Sequence, residues 1–290
     1  MPCEVVRSCS MPRPGGHWRY PPKVPWHIMT EPSLDSNWLE PLLEDFNRLS
    51  LGAFQDSEML AKDDGTVVTA LDQQVSALVT GKLRALYPEA GIISEEEKEP
   101  YLPDASYQWV LDPIDGTASF SRGYPVWGMG LGLMKDRAPL AGCLRFPILG
   151  ETYIFNGGKL SINGQPFLPS APPELNDVKN LLIGSMLHSK VKLEKLKAYK
   201  LRNLGSNLYH IAALAAGRCE AMITPQAYIW DIVPALPMTR ARGYVERYLD
   251  GSPFSLHDLF RSTPPTYRLE NPLVIGPPEH VETVVDQLSR

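Results

Sequence analysis

Paired cysteines, long apolar runs and clustered positive charge are all missing from this sequence, and each absence excludes a class of protein. The four cysteines among 290 residues have no paired spacing, which argues against a disulfide framework and a cysteine-based zinc site. No apolar run approaches the roughly 20 residues of a membrane-spanning helix. The net charge of −5 and the lack of a Lys/Arg stripe argue against a nucleic-acid polymer as partner. The sequence therefore predicts a cytoplasmic protein that binds neither membrane nor nucleic acid.

Length and composition fit an ordinary globular protein of one large or two modest domains. Hydrophobic residues make up 43% of the chain and charged residues 21%. Six of the first 25 residues are proline, so we interpret 1–28 as a disordered extension or as translation from an upstream start, with Met29 as the working start. Because the Pro-rich stretch 169–173 is typical of a linker, we predict an α+β domain at 29–168 that carries the site and an α/β domain at 169–290.

The segment 109–117, with the sequence WVLDPIDGT, carries the most informative pattern in the chain. Its first three residues are apolar and predict the end of a buried strand, which Pro113 stops because proline has no N–H to donate to a sheet. Asp115 and Gly116 are typical of a turn, and Thr117 is typical of a helix N-terminus. The pattern predicts a strand, a tight turn and a helix in immediate succession.

The predicted turn brings oxygen atoms together. The carboxylates of Asp112 and Asp115 flank the Ile114 carbonyl, and hard cations such as Mg²⁺ prefer oxygen ligands. The N–H groups of the following helix terminus attract a phosphate. The segment therefore indicates metal-assisted phosphate chemistry. The alternative is that both aspartates only stabilise a turn, because Asp and Gly are common in all turns.

Two more acidic residues have a structural explanation of their own. Thr69 as a helix N-cap and Asp72 three residues later form a capping pair. Glu95 belongs to an acidic run that follows a short predicted strand at 92–93, and such a run is typical of a solvated helix start. Its position favours a second interpretation, because Asp112 lies only 17 residues further on, and two neighbouring strands would bring both carboxylates to one edge of a sheet.

Two other patterns make structural predictions. Glycine occupies every second position at 128–132, so one face of a predicted strand is bare and another segment is expected to pack closely against it. A helix is predicted to begin at Trp230, and Pro237 is expected to kink it or to cost it a hydrogen bond.

Five motifs in a fixed order make the chain similar to the inositol monophosphatase family of Mg²⁺-dependent, lithium-sensitive phosphatases. They are KDDGTVVTALD at 62–72, Ser94-Glu95-Glu96, DPIDGT at 112–117, Gly205-Ser206 with Gly217-Arg218 downstream, and Trp230-Asp231. The resemblance runs from about Trp38 to the C-terminus. It implies an α/β fold with an α+β N-terminal half, a layered αβαβα sandwich of the inositol monophosphatase/fructose-1,6-bisphosphatase type, with the site between the halves.

The resemblance also implies a cofactor of two or three Mg²⁺ ions, with Mn²⁺ as the alternative metal. The implied metal ligands are Glu95, Asp112, the Ile114 carbonyl, Asp115 and Asp231, with Asp112 bridging the first two ions. Glu95 and Thr117 would orient and deprotonate the attacking water, and Asp72 would accept a hydrogen bond from Thr117. The implied substrate contacts are the Gly116 and Thr117 N–H groups, Ser206, Asn207 and Asp231.

The pattern departs from the family on the side of the leaving alcohol. Seven residues before Asp231 the family has a glutamate that contacts inositol, and this chain has Thr224. The predicted activity is hydrolysis of the phosphate ester of a small polyol, sugar or nucleotide. Its alternatives are 3′(2′),5′-bisphosphate nucleotidase, fructose-1,6-bisphosphatase or histidinol-phosphatase activity, or a catalytically idle member that binds metal and phosphate. The resemblance implies a homodimer that acts on a small phosphorylated metabolite.

Overall fold

The computed structural model describes residues 31–54, 60–61, 67–68, 70–167, 178–185, 187–189, 191–262 and 265–289. The predicted extension 1–28, the cap residue Thr69 and the predicted linker 169–173 lie outside these residues. Within these ranges the α-helices are α1 Ser36–Ala53, α2 Ala70–Leu86, α3 Thr117–Ser121, α4 Asn207–Ala215, α5 Leu236–Arg240 and α6 Pro278–Ser289. No helix within the described ranges is long and apolar enough to cross a membrane.

The described strands form two mixed sheets and one separate pair. The strands are β1 Leu60–Ala61, β2 Val67–Val68, β3 Gly91–Ser94, β4 Tyr107–Asp115, β5 Gly128–Lys135, β6 Ala138–Phe146, β7 Glu151–Asn156, β8 Lys159–Ile162, β9 Gln165–Pro166, β10 Lys179–Ile183, β11 Tyr199–Arg202, β12 Ala221–Thr224, β13 Val245–Tyr248 and β14 Leu273–Gly276. The first sheet has seven strands in the order β3-β4-β5-β6-β7-β8-β9, and only the β3–β4 pair is parallel. The second has five strands in the order β11-β10-β12-β14-β13.

Three hydrophobic cores stack these elements into five layers. One core packs α1 and α2 on the first face of the seven-stranded sheet. A second fills the space between the opposite face of that sheet and the five-stranded sheet, and it contains α4 and α5. A third joins the five-stranded sheet to α6. The layers follow the order α, β, α, β, α, which confirms the fold class that the sequence predicted. The predicted division at residue 168 falls between the two sheets and stays a prediction.

Strand β4 does not end at Pro113, so that prediction was wrong. Asp112 pairs with Gly130 and Asp115 pairs with Gly128, so three steps along β4 match two steps along β5. The mismatch is a β-bulge. Because the bulge takes one residue out of regular pairing, the strand tolerates a proline that has no N–H to donate.

The bare glycine face of the seven-stranded sheet receives the segment that follows Asp231. A Cβ added at Gly142 would overlap the carbonyl oxygen of Pro234, and one at Gly132 would lie 3.0 Å from the nitrogen of Pro234. A Cβ at Gly130 would overlap the Leu208 side chain. The close approach that the glycine alternation predicted is therefore present.

The helix predicted to begin at Trp230 starts later. Turns run from Trp230 to Ala235, and the regular helix α5 begins at Leu236. Pro234 has no N–H to continue a helical hydrogen-bond ladder. Pro237 lies in the first turn of α5, where no intrahelical donor is required, so the predicted kink is absent.

Substituting Gly142 by alanine tests the close contact with Pro234. We expect Gly142→Ala to lower the free energy of unfolding by about 1–3 kcal/mol or more, because the new methyl group must displace backbone rather than a flexible side chain. Urea unfolding measures this change.

Gly81→Ala is the matched control, since Gly81 lies in α2 and no atom lies within 4 Å of its added Cβ. In a helix interior alanine is favoured over glycine by about 1 kcal/mol, so this control should be neutral or stabilising. Equal stability changes in the two variants would contradict the packing argument.

His210 of α4 holds the loop that precedes the helix. The Leu204 N–H donates to Nε2 of His210 at 3.0 Å, so the neutral ring carries its proton on Nδ1. The side chain is 1% exposed, and burial lowers the pKa of His210 from 6.5 to about 4. The unfolded chain therefore takes up this proton at a higher pH than the folded protein does.

This difference predicts a pH-dependent stability. The contribution of neutral His210 is complete above the unfolded pKa near 6.5 and is lost as the pH falls towards 4. From pH 7 to pH 5 we expect wild type to lose about 2 kcal/mol more of its free energy of unfolding than His210→Gln loses. Urea titrations of both proteins at the two pH values measure it. Parallel losses in the two proteins would refute the assignment.

Candidate metal centre and active site

Three carboxylates from two parts of the chain meet at one point. Asp112 and Asp115 come from the end of β4, and Asp231 comes from the turns that follow β12. One oxygen atom of each residue lies within 4.8 Å of the other two. Asp112 and Asp115 are buried and Asp231 is partly buried. No other cluster of three or more acidic, histidine or cysteine side chains with this geometry occurs in the part of the chain that the structure describes.

Asp112 is the electrostatic centre of the cluster. It is 1% exposed, and its Oδ1 atom has no hydrogen-bond partner within the described residues. Burial raises the pKa of Asp112 well above its usual value, and the negative charges of Glu95, Asp115, Asp231 and Asp72 raise it further, in that order. A buried carboxylate with an unsatisfied oxygen among like charges is stabilised by a bound cation.

Asp115 is held by the N-terminus of α4. It accepts hydrogen bonds from the Ser206 hydroxyl, from the Leu208 N–H at 2.7 Å and from the Asn207 N–H at 3.3 Å. Burial raises the pKa of Asp115 to about 6, although these hydrogen bonds act in the opposite direction. The donors fix the orientation of the carboxylate.

Asp231 is oriented in a similar way. Its Oδ2 atom accepts a hydrogen bond from the Tyr228 N–H at 2.6 Å, which folds the chain back over three residues. Sequence reasoning missed this contact because a backbone N–H carries no residue-specific signal.

Glu95 lies at the same sheet edge as Asp112. Strands β3 and β4 are parallel and pair Ser94 with Leu111, and the Glu95 N–H donates to the Leu111 carbonyl at 3.2 Å. Of the charges that raise the pKa of Asp112, that of Glu95 acts most strongly. The structure thus places Glu95 beside the cluster.

The Thr117 hydroxyl lies between two acceptors. Its Oγ1 atom is 3.2 Å from Oδ1 of Asp72 and 2.9 Å from the Ile114 carbonyl oxygen. A hydroxyl has one proton, so it donates to one of these acceptors at a time and keeps its lone pairs for another partner. Asp72 is 1% exposed, which makes it a fixed acceptor for this hydroxyl.

Gly116 makes the turn between β4 and α3 possible. Its φ of +88° lies in the left-handed region, and an added Cβ would lie 3.0 Å from the Val126 carbonyl and 3.1 Å from the Gly205 carbonyl. Helix α3 begins at the next residue, Thr117. By helix geometry the Thr117 and Ala118 N–H groups have no intrahelical partner, whereas the Ser119 N–H donates to the Gly116 carbonyl at 2.8 Å.

The donor set fits a hard divalent cation. The three clustered residues offer carboxylate oxygens, which are ligands that Mg²⁺ and Mn²⁺ prefer. The unsatisfied oxygen of Asp112 and the mutual repulsion of the carboxylates point to the same conclusion.

The positions that the sequence analysis assigned to the leaving alcohol are polar but uncharged. Thr224 is buried and its hydroxyl donates to the Gln226 carbonyl at 3.0 Å. The Asn207 carboxamide is partly exposed and forms no hydrogen bond with any described residue. Ser206 was predicted as a substrate contact, and the structure places its hydroxyl on Asp115 and as the N-cap of α4. A serine before a helix is the signal for that cap.

Known proteins share this sequence pattern and this fold. Residues 40–283 match the inositol monophosphatase family. The chain is 29% identical over 211 residues to a histidinol-phosphatase of Chlorobaculum parvum, a match that covers 70% of this chain and 81% of that protein. It is 32% identical over 187 residues to the inositol-1-monophosphatase ImpA of Mycolicibacterium smegmatis, with 60% and 68% covered.

The fold comparison agrees. A solved structure of an IMPase/NADP phosphatase complexed with Mg²⁺ and phosphate matches 87% of this chain and 92% of its own, with a TM-score of 0.70 at 18% identity. The matched segment 40–283 includes every residue from Asp72 to Asp231 that builds the cluster and its supports. The chain therefore belongs to the inositol monophosphatase family and is a phosphoric monoester hydrolase.

Proposed function

We propose that the protein is a Mg²⁺-dependent phosphomonoesterase that hydrolyses the phosphate ester of a small polyol, sugar or nucleotide with an activated water molecule. The observation that carries this proposal is the convergence of Asp112, Asp115 and Asp231 within 4.8 Å, with an oxygen of Asp112 left without a partner among the described residues. The structural neighbour that binds Mg²⁺ and phosphate supports it.

In this proposal the acidic residues hold two or three divalent cations, with Mn²⁺ as the alternative to Mg²⁺. Glu95, Asp112 and the Ile114 carbonyl would hold one ion, and Asp112, Asp115 and Asp231 would hold a second. Bound cations of this kind lower the pKa of water and neutralise charge on the phosphoryl group. Asp112 belongs to both sets, and a cation there would offset the negative charges that raise its pKa.

The remaining residues orient and deprotonate the attacking water. Glu95 lies beside Asp112 and accepts the proton, as a carboxylate general base. Thr117 directs a lone pair at the water while Asp72 holds its hydroxyl proton at an Oγ1–Oδ1 distance of 3.2 Å. Asp72 is therefore a positioning residue that acts through Thr117.

The phosphate and the leaving alcohol occupy opposite sides of the cluster. The Gly116 and Thr117 N–H groups, at the start of α3, hold the phosphate. Asn207 and Asp231 face the alcohol, where Thr224 replaces the carboxylate of inositol-specific relatives, and Ser206 acts on this side through its hydrogen bond to Asp115. A hydroxyl already donated to the Gln226 carbonyl cannot replace a carboxylate that accepts two sugar hydrogen bonds.

Four phosphate esters are candidate substrates. The similarity to a histidinol-phosphatase and to an inositol-1-monophosphatase favours histidinol phosphate and inositol 1-phosphate. Fructose 1,6-bisphosphate and 3′-phosphoadenosine 5′-phosphate remain candidates from the sequence motifs. A cytoplasmic homodimer completes the proposal.

Replacing Asp112 by asparagine tests the metal assignment. The substitution removes one of the buried like charges, so the metal-free variant should unfold at the same temperature as metal-free wild type or higher. Mg²⁺ at about 100 times its dissociation constant should stabilise wild type by about 2.7 kcal/mol per site and the variant by nothing. Phosphate release by the variant should be abolished.

Asp136→Asn is the control, because Asp136 is an exposed residue in the turn at the other end of β5. Thermal unfolding with and without Mg²⁺, together with a phosphate-release assay, measures all three proteins. Normal turnover in Asp112→Asn would refute the proposed role of Asp112.

A phosphate-release panel tests the substrate. With Mg²⁺ present we expect hydrolysis of at least one of the four esters named above, and inhibition of that hydrolysis by Li⁺. We expect the KM for inositol 1-phosphate to be higher than the KM for the ester that is hydrolysed best, because Thr224 offers no carboxylate to the inositol hydroxyls. If the protein binds Mg²⁺ in calorimetry but releases phosphate from no ester, it is an idle member of the family.

A further inference from the structure

A polar network joins the seven-stranded sheet to both ends of α4. Glu151, the first residue of β7, accepts hydrogen bonds from the Tyr153 hydroxyl at 2.5 Å and from Nη1 of Arg218 at 2.9 Å. The same Nη1 atom lies 2.9 Å from the Tyr209 hydroxyl, to which it donates. Arg218 follows the C-terminal end of α4 and Tyr209 belongs to its first turns. One guanidinium therefore ties both ends of the helix to β7.

Tyr209 connects this network to the support of Asp115. Its N–H donates to Oγ of Ser206 at 3.0 Å, and the Ser206 hydroxyl itself donates to Asp115. Its ring packs edge-on against Phe146 with 4.9 Å between the ring centres. Phe146 fills the space where a Cβ of Gly128 would lie, and Gly128 is the strand partner of Asp115. Tyr209 thus contacts Ser206, which donates to Asp115, and Phe146, which packs against the strand partner of Asp115.

The donors to Asp115 come from α4, whereas Asp115 belongs to β4. Any shift of α4 along the sheet changes the distances from the Leu208 N–H and the Asn207 N–H, now 2.7 and 3.3 Å, to the carboxylate. Contacts to a metal-binding carboxylate fix the direction of its lone pairs, and small displacements weaken metal affinity. Contacts that fix the position of α4 against the sheet should therefore increase the affinity for the metal.

We propose that Glu151, Arg218 and Tyr209 form a positioning network that holds the N-terminus of α4 against Asp115 in the orientation that metal binding requires. The inference rests on the proposed role of Asp115 as a metal ligand. Tyr209 acts through the helix and not through contact with substrate.

Tyr209→Phe tests the network, because it removes the hydroxyl but keeps the ring on Phe146 and the N–H on Ser206. We expect calorimetry to show Mg²⁺ binding weakened by about 3- to 10-fold, at or below the lower end of what partners of metal ligands contribute. The Mg²⁺ concentration for half-maximal phosphate release should rise by the same factor. The unfolding temperature without metal should change by less than about 2 °C.

Tyr199→Phe is the matched control. The Tyr199 hydroxyl also has a side-chain partner, Nδ1 of His280 at 3.1 Å, but neither residue is hydrogen-bonded to α4 or to Asp115 among the described contacts. It should bind Mg²⁺ as wild type does. Glu151→Gln should weaken Mg²⁺ binding as Tyr209→Phe does. The double variant should bind Mg²⁺ no more weakly than the single variant with the lower affinity, because both changes break one network.

Unchanged Mg²⁺ affinity in Tyr209→Phe and Glu151→Gln would overturn the inference while leaving the proposed function intact. Equal weakening in Tyr199→Phe would also overturn it, because a general loss of stability would then explain the effect. A wild-type protein that binds no Mg²⁺ would instead refute the metal assignment, and this inference with it.

Discussion

Repulsion between buried carboxylates is the constraint on which the rest of this structure depends. Asp112 and Asp115 are buried side by side, Asp231 and Glu95 lie against them, and the pKa of Asp112 rises accordingly. Such a cluster is unfavourable unless protons or cations neutralise it. The fold supplies donors to Asp115 and Asp231, but none among the described residues to Oδ1 of Asp112. That imbalance is what a divalent cation corrects.

The same constraint explains why several distant segments of the chain position the acidic side chains of the cluster. The segment after Asp231 reaches the seven-stranded sheet only because Gly132 and Gly142 carry no Cβ where Pro234 lies. The N-terminus of α4 approaches from the same side and caps Asp115 with a hydroxyl and two N–H groups. Close backbone packing and helix-terminal hydrogen bonds thus assemble a site that no single element contains.

Sequence reasoning was most accurate where one residue type has one structural consequence. The bare glycine face, the strand before Asp112 and the layered fold class were predicted and are confirmed. It was wrong at prolines, because the effect of a missing N–H depends on whether a donor is needed. The bulge in β4 needs none at Pro113, and the first turn of α5 needs none at Pro237.

The sequence by itself determined the local chemistry of this protein: a strand that leads into two aspartates, a glycine that permits the turn, and a threonine that opens the next helix. Only the tertiary structure decided that Asp231 lies within 4.8 Å of Asp112 and Asp115, and that Leu208 and Tyr228 supply backbone donors to the cluster. The physical reason is that periodicity and turn preferences act over a few residues. The approach of two sheets depends instead on packing between distant segments, and backbone N–H groups leave no mark in the sequence.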